Sequence, residues 1–328
     1  MRNTEKSMLP TNAHQDIPGN PSTAKSSKTK LNDRSNGKPL RVLSEEDWAF
    51  WQHNGYIVIK NAVPREQALA TAAFLWEFEE KDPAEPETWY TAPRAEMQMK
   101  ELVGTGMVEV YNHQHLWNNR QAPRVYDAFT DIWGTEKLWV TIDRANLNFP
   151  MRPGHEYKGF IHWDYDPETK PQNVQGVLAL SDQTDERMGG FQCIPWLFRN
   201  YDRWKQTQPK DRDRFQPDTA GLDDKIVKVG MEVGDLLIFN SLLPHGIRPN
   251  HSEDKVRIAQ YISMMPAEED NEPLRQWRVN SWKKRIAPEG YAFPGDPRRW
   301  EQARYERADL TELGEKLLGL KNWQKSQK

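Results

Sequence analysis

The sequence lacks the features that mark secreted, membrane-spanning or disulfide-stabilised proteins. It contains one cysteine, Cys193, so no disulfide can form within the chain, which suits a reducing compartment. No run approaches the roughly 18–20 apolar residues that are needed to cross a bilayer, and the N-terminus lacks the apolar core of a secretory signal. A net charge of −3 gives no general attraction to nucleic acid or to an anionic membrane. These absences predict a soluble, cytoplasmic protein with no nucleic-acid or membrane partner.

The composition is nevertheless that of a folded protein over most of its length. Only 37% of the 328 residues are apolar, but fourteen tryptophans supply large side chains for a core. A chain of this length can form one large domain. Residues 1–38 differ, because they are rich in Lys, Ser, Asn, Thr and Pro and contain few apolar residues. We therefore predict a disordered tail at 1–38 and one domain at 39–328.

The pattern with the most chemical content is a His-x-Asp pair, His162 and Asp164, followed 81 residues later by His245. Residues two apart in a strand share a face, so both side chains should point into one cavity while Trp163 points away. The apolar run 235–240 precedes His245 and could deliver it to the same place. Two histidines and one carboxylate are the ligand set of non-haem Fe(II) oxygenases, which leaves coordination positions open.

An arginine and three further polar residues bear on this hypothesis. Arg257 follows His245 by twelve residues in the strand-like segment 255–264, where its planar fork could bind a carboxylate. His155 or His251 could replace a ligand if the strand register differs. Asp166 extends the motif, but the prolines that follow it favour a turn and a supporting role.

At these residues the chain resembles the phytanoyl-CoA dioxygenase family of Fe(II)- and 2-oxoglutarate-dependent oxygenases. The similarity includes Leu43 to Asp47, Gly55 to Ile59 and Val63-Pro64, and it covers roughly residues 40 to 265. The resemblance implies that His162, Asp164 and His245 bind Fe(II), that Arg257 holds 2-oxoglutarate, and that O2 is the second cosubstrate.

The resemblance also implies a reaction. Related halogenases have Gly or Ala in place of the carboxylate ligand, so Asp164 favours hydroxylation, or desaturation or ring formation, at an unactivated C–H bond with release of succinate and CO2. The absence of a basic face and of an appended reader domain favours a small metabolite or a natural-product intermediate as substrate. Asn148, Trp163 and Gln175 are candidate substrate contacts because their strands should flank the metal, although core packing explains Trp163 equally well.

Two other functional classes use parts of the same pattern. A cupin-type Zn or Mn hydrolase or isomerase would use the same His/Asp set but would have no need for Arg257. A non-catalytic jelly-roll binding protein would keep only the fold. Nothing in the pattern specifies an oligomeric state.

Short strands recur from Leu138 onward and predict a mainly β fold with flanking helices. A double-stranded β-helix, the cupin-like jelly roll, is what the family resemblance implies. Residues from about 196 to 222 interrupt the strands and could form a lid or an aromatic-bearing surface helix, and a helical extension begins at about 267. The expected strands are 138–142, 146–149, 159–164, 174–181, 190–194, 226–229, 236–239 and 256–264.

Overall fold

The computed structural model describes residues 27–91, 106–288 and 295–323. Within these ranges the nine helices are α1 (Glu45–Asn54), α2 (Arg65–Phe78), α3 (Pro86–Trp89), α4 (Gln114–Arg120), α5 (Pro123–Trp133), α6 (Pro195–Lys205), α7 (Glu272–Lys284), α8 (Trp300–Arg304) and α9 (Glu312–Leu318). None of them is both long enough and apolar enough to span a bilayer. The strands are β1 (Tyr56–Ile59), β2 (Met107–Val108), β3 (Leu138–Val140), β4 (Ala145–Asn148), β5 (Val174–Ala179), β6 (Gly190–Cys193), β7 (Val227–Lys228), β8 (Leu236–Asn240), β9 (His245–Arg248), β10 (Arg257–Tyr261) and β11 (Met264–Pro266).

Two antiparallel sheets face each other and enclose an apolar interior. The larger sheet has the order β1-β8-β5-β10-β4-β2, the smaller has the order β7-β6-β9, and β11 pairs with β3 beside them. Alternate residues of the larger sheet, among them Val177, Leu237 and Ala259, meet Phe191 and Cys193 of the smaller one. This arrangement is the predicted double-stranded β-helix with flanking helices.

The other face of the larger sheet is covered by helices. Ile57, Leu178 and Ile238 alternate with the interior residues and pack in one cluster with Phe74 of α2 and Phe129 of α5. Because side chains alternate between the two faces of a strand, one set of apolar residues lies in the interior between the sheets and the other lies under the helices.

Local capping residues define the first helix of the domain. Ser44 caps α1, and a capping box with Asp47 satisfies the backbone N–H groups of both residues. Gly55 ends the helix at φ 74°, a left-handed conformation that favours glycine. The chain then turns directly into β1, which pairs with β8.

The helical extension predicted from about 267 covers the β3–β11 pair. Arg278 of α7 is fully buried and donates to the carbonyl groups of Val140, Leu317 and Leu318, so it joins the extension to β3. Gly319 ends α9 with φ 91°, a left-handed conformation that favours glycine.

Part of the predicted tail belongs to the folded domain, which corrects the boundary at 38. Residues 1–26 lie outside the described ranges, but Leu31 is buried and the backbone N–H of Asn32 donates to the carbonyl of Ile132. The side chain of Asn32 also accepts a hydrogen bond from the indole of Trp51. Leu31 and Asn32 therefore help to dock a segment whose average composition is polar.

A second expectation was wrong: residues 159–164 do not form a regular strand. Only an isolated bridge joins His162 to His245. The two backbone bonds of that bridge are 2.8 and 3.0 Å long. A strand needs several successive paired residues, and His162 is the only residue of this segment that pairs with β9.

Candidate metal centre

Three side chains converge at the bridge between the two histidine-bearing segments. The candidate ligand atoms of His162, Asp164 and His245 all lie within 4.8 Å of one another. Each histidine Nε2 is 3.3 Å from a different oxygen of Asp164. In the described ranges this is the only group of three or more His, Cys, Asp or Glu side chains close enough to hold a metal ion.

The residue after His245 explains how the two segments come so close. A Cβ atom at Gly246 would overlap the carbonyl oxygen of Phe160. Glycine is therefore required where β9 passes the chain that carries the other two ligands. In the Pro-His-Gly sequence, His245 supplies a ligand, and the next residue, Gly246, allows the backbone at Phe160 to come close.

The histidines also determine the charge of the carboxylate. Burial by itself raises the pKa of Asp164, but hydrogen bonds from His162 and His245 and their charge attraction outweigh it and hold the pKa well below its usual value. Asp164 is therefore ionised at neutral pH. A deprotonated carboxylate is the form that binds a metal.

The ring of His245 is held in one orientation. Its Nδ1 donates to the carbonyl oxygen of Leu243 at 2.9 Å, and its Nε2 faces Asp164. Phe239 and Phe191 pack on the ring at centroid distances of 4.3 and 5.6 Å. A ligand fixed in this way loses little conformational entropy when metal binds.

Gln175 contacts Asp164, one of the three candidate metal ligands. It lies on β5, and its Nε2 donates a hydrogen bond to Oδ2 of Asp164. Sequence reasoning proposed Gln175 as a substrate contact, and nothing in its spacing from Asp164 signalled this hydrogen bond. An amide in this position orients the carboxylate and occupies one of its lone pairs.

Replacing Gln175 by leucine should weaken Fe(II) binding by about 10- to 100-fold, the usual effect of removing a hydrogen bond to a ligand. The measurement is an anaerobic Fe(II) titration of the wild-type and variant proteins. Gln192 of β6 supplies the control, because it is also partly buried on a strand but its neighbours Phe191 and Cys193, not Gln192 itself, face the interior cluster. Equal affinities of the Gln175→Leu and Gln192→Leu variants would remove Gln175 from the site.

Arg257 is a buried cation without a counter-ion among the described residues. Its exposure is 0%, its Nε donates to Oε1 of Gln183 at 3.0 Å, and its Nη2 has no hydrogen-bond partner. Asn148 lies directly opposite on β4, and its Oδ1 is also buried without a partner. A buried guanidinium without an acidic partner is energetically costly, and an anion bound beside it would reduce that cost.

Trp163, the third candidate substrate contact, lies on the side away from the ligands. It is 1% exposed and belongs to a separate apolar cluster with Leu197 and Trp204. Its Nε1 donates to the carbonyl oxygen of Leu242 at 2.9 Å. Packing and this hydrogen bond account for the residue.

The alternative ligands lie elsewhere in the described structure. Asp166 accepts hydrogen bonds from the backbone of Glu168 and from Arg214, as a turn residue does. His155 packs against Tyr90 with ring centroids 5.1 Å apart, and His251 is exposed. None of the three joins the cluster of His162, Asp164 and His245.

Known proteins resemble the chain in sequence and in fold. A family model described as phytanoyl-CoA dioxygenase (PhyH) matches residues 51–259. "Ava biosynthesis cluster protein O" of Aspergillus versicolor is 27% identical over 250 residues, which cover 67% of this chain and 77% of that protein. The crystal structure of GlcNAc Inducible Gene 2, GIG2 (DUF1479), from Candida albicans superposes with a TM-score of 0.63 at 14% identity, over 87% of this chain and 78% of that one. Hypothetical protein JW0805 of Escherichia coli gives a TM-score of 0.62 at 17% identity and covers 87% of each chain. The two structures share the fold.

Proposed function

Since this chain belongs to the phytanoyl-CoA dioxygenase family, with Fe(II), 2-oxoglutarate and O2 as cofactor and cosubstrates, we propose that it hydroxylates an unactivated C–H bond of a small metabolite or natural-product intermediate. Succinate and CO2 are the co-products. The observation that carries the proposal is that one double-stranded β-helix contains both the His/Asp/His cluster and Arg257, a buried arginine with no acidic partner among the described residues.

The donor set fits Fe(II). Two imidazole Nε2 atoms and one ionised carboxylate suit this metal, and a site with three protein ligands keeps positions for cosubstrate and O2. His162, Asp164 and His245 would hold the ion. When bound with 2-oxoglutarate and O2, the iron supplies the oxidising power that breaks a C–H bond.

The rest of the interior fits the cosubstrate. Arg257 would bind the far carboxylate of 2-oxoglutarate through a bidentate, charge-assisted contact, while Gln183 holds the guanidinium in place. Asn148 lies opposite Arg257 on β4, so its side chain borders the same end of the interior. Ala259 and Ala179 are paired on β10 and β5 beside Arg257. Both are buried, and their small side chains leave space next to the guanidinium.

Two observations favour one class of reaction over the alternatives. A cupin-type Zn or Mn hydrolase or isomerase has no use for the unpaired charge of Arg257, which favours a dicarboxylate cosubstrate. Asp164 provides a carboxylate donor where halogenases of this superfamily have Gly or Ala, which favours hydroxylation, or desaturation or ring formation. The relative named for the Ava biosynthesis cluster supports a natural-product intermediate as substrate.

The first test needs no knowledge of the substrate. Anaerobic addition of Fe(II) and 2-oxoglutarate should produce the weak visible charge-transfer absorption of a bound 2-oxo acid, and admission of O2 should then release succinate. Glutarate is the matched control, since it has both carboxylates but no 2-oxo group and should give no absorption. If iron binds and 2-oxoglutarate gives no absorption either, the oxygenase proposal fails and the cupin-type alternative takes its place.

A further inference from the structure

Because residues 159–164 form no strand, a hydrogen-bonded ladder does not hold two of the three metal ligands. The isolated bridge to His245 supplies two backbone bonds at His162 and none at Asp164. Metal binding requires both ligands to be held close to their bound positions. Another part of the chain has to supply that restraint.

Trp163, between the two ligands, is connected to three other segments. Its backbone N–H donates to the carbonyl oxygen of Phe215 at 2.8 Å. Its indole Nε1 donates at 2.9 Å to the carbonyl oxygen of Leu242, three residues before His245. Its ring meets Tyr201 and Trp204 of α6 edge-on at 5.6 and 6.0 Å. One buried side chain thus joins both ligand-bearing segments to the residues that follow β6.

Two arginines hold the chain just beyond Asp164. Arg212 donates to Oε1 of Glu168 at 2.8 Å and to the hydroxyl of Tyr201, also at 2.8 Å. Arg214 donates to Oδ2 of Asp166 at 2.9 Å. Both arginines lie in the interrupting segment, which therefore packs against the back of the ligand pair.

We propose that Trp163 and residues 195–217 form a brace that positions His162 and Asp164 relative to His245 for metal binding. The inference rests on the proposed function only in taking this cluster to be the metal site. The sequence allowed a lid or an aromatic-bearing surface helix here, and the proposal assigns a third role because Tyr201 and Trp204 of the segment pack against Trp163. Trp163 is a positioning residue, and its effect on the metal passes through the two ligands beside it.

The brace is tested with a single Trp→Phe substitution and Co(II) alone as the probe. Trp163→Phe keeps most of the ring and removes the hydrogen bond to Leu242, and we expect it to weaken Co(II) binding by about 10- to 100-fold. Affinity is read from the visible absorption of Co(II) in an anaerobic titration without 2-oxoglutarate. A supporting role in metal binding predicts this loss even where the folded state is intact by circular dichroism.

The chain offers a closely matched control. Trp133 is also 1% exposed, and its Nε1 donates to a backbone carbonyl, that of Met264, at 2.8 Å. Trp133→Phe should therefore lose about as much thermal stability as Trp163→Phe, but it should bind Co(II) as tightly as the wild type. If Trp163→Phe and Trp133→Phe bind Co(II) equally well, the brace is overturned.

A second variant decides the matter if Trp163→Phe does not fold. Removing both surface ion pairs in Arg212→Gln/Arg214→Gln should weaken Co(II) binding by roughly 3- to 20-fold. The control is Arg187→Gln/Lys228→Gln, which removes two ion pairs outside the brace, with Asp185 and Glu186. Equal affinity of the two double variants overturns the proposal.

The outcomes separate this inference from the proposed function. If the wild-type protein binds neither Co(II) nor Fe(II), the metal-centre proposal and the brace both fail. If the wild type binds metal and 2-oxoglutarate but the brace variants match their controls, the oxygenase proposal stands and the brace alone is wrong.

Discussion

Asp164→Ala should abolish 2-oxoglutarate-dependent succinate formation and weaken Fe(II) binding by more than about 100-fold. Asp164 is the only carboxylate of the cluster, and it contributes the negative charge that the two histidines stabilise. Two neutral imidazoles remain after its removal, and they offset little of the cost of dehydrating a divalent cation. The measurements are an anaerobic Fe(II) titration and the amount of succinate formed after O2 is admitted.

The control for this result lies two residues away. Asp166 is an acidic residue with a side-chain exposure of 18%, against 19% for Asp164, and it is bonded to Arg214 rather than to a histidine. Asp166→Ala should weaken Fe(II) binding by no more than about fivefold, because it removes one of the two ion pairs of the brace and no metal ligand. The ligand assignment would be wrong if Asp166→Ala lost the metal and Asp164→Ala retained it.

Arg257→Gln should weaken 2-oxoglutarate binding by roughly 30-fold to a few thousandfold, since truncating one partner of a buried charge pair costs about 2–5 kcal/mol. Fe(II) affinity should stay close to that of the wild type, because Arg257 is not among the ligands. The concentration of 2-oxoglutarate that half-saturates the visible absorption gives the affinity directly. Arg257→Lys should fall between the two proteins, because lysine keeps the charge but lacks the planar fork.

Arg278, a second fully buried arginine, is the control that separates cosubstrate binding by Arg257 from a purely structural role. Arg278 is also 0% exposed, but it donates to the backbone carbonyl groups of Val140, Leu317 and Leu318, none of which belongs to the site. Arg278→Gln should lower the free energy of unfolding and leave the 2-oxoglutarate affinity unchanged. If Arg257→Gln behaved like Arg278→Gln, with lower stability and normal 2-oxoglutarate affinity, Arg257 would be a structural residue and the cosubstrate site would lie elsewhere.

Much of the fold followed from local patterns. Ser44 and Gly55 bounded α1, and the apolar runs marked most strands of both sheets, because capping and period-two alternation act over a few residues. The strand β9 was missed, since His245-Gly246-Ile247-Arg248 carries only one strongly apolar residue. Its place is determined by pairing with β6.

The supporting contacts of the site could not be read in the same way. Gln175 is bonded to Asp164 across eleven positions, and Gln183 is bonded to Arg257 across 74. Neither separation follows from a helix or strand repeat, because each depends on how one strand lies against another segment. The segment 195–217 likewise reads as an interruption in the sequence and contacts Trp163 only in the folded chain.

The sequence by itself determined the chemistry of this protein: the donor types, their order along the chain, the arginine and the β-rich framework, because these are properties of residue identity and short-range pattern. Only the tertiary structure decided that His162 and Asp164 lie outside a regular strand, that Gly246 admits the backbone at Phe160, that Gln175 hydrogen-bonds Asp164, and that Trp163 hydrogen-bonds Leu242. The physical reason is that ligand geometry arises from contacts between segments distant in sequence, where packing and hydrogen bonding outweigh local strand propensity.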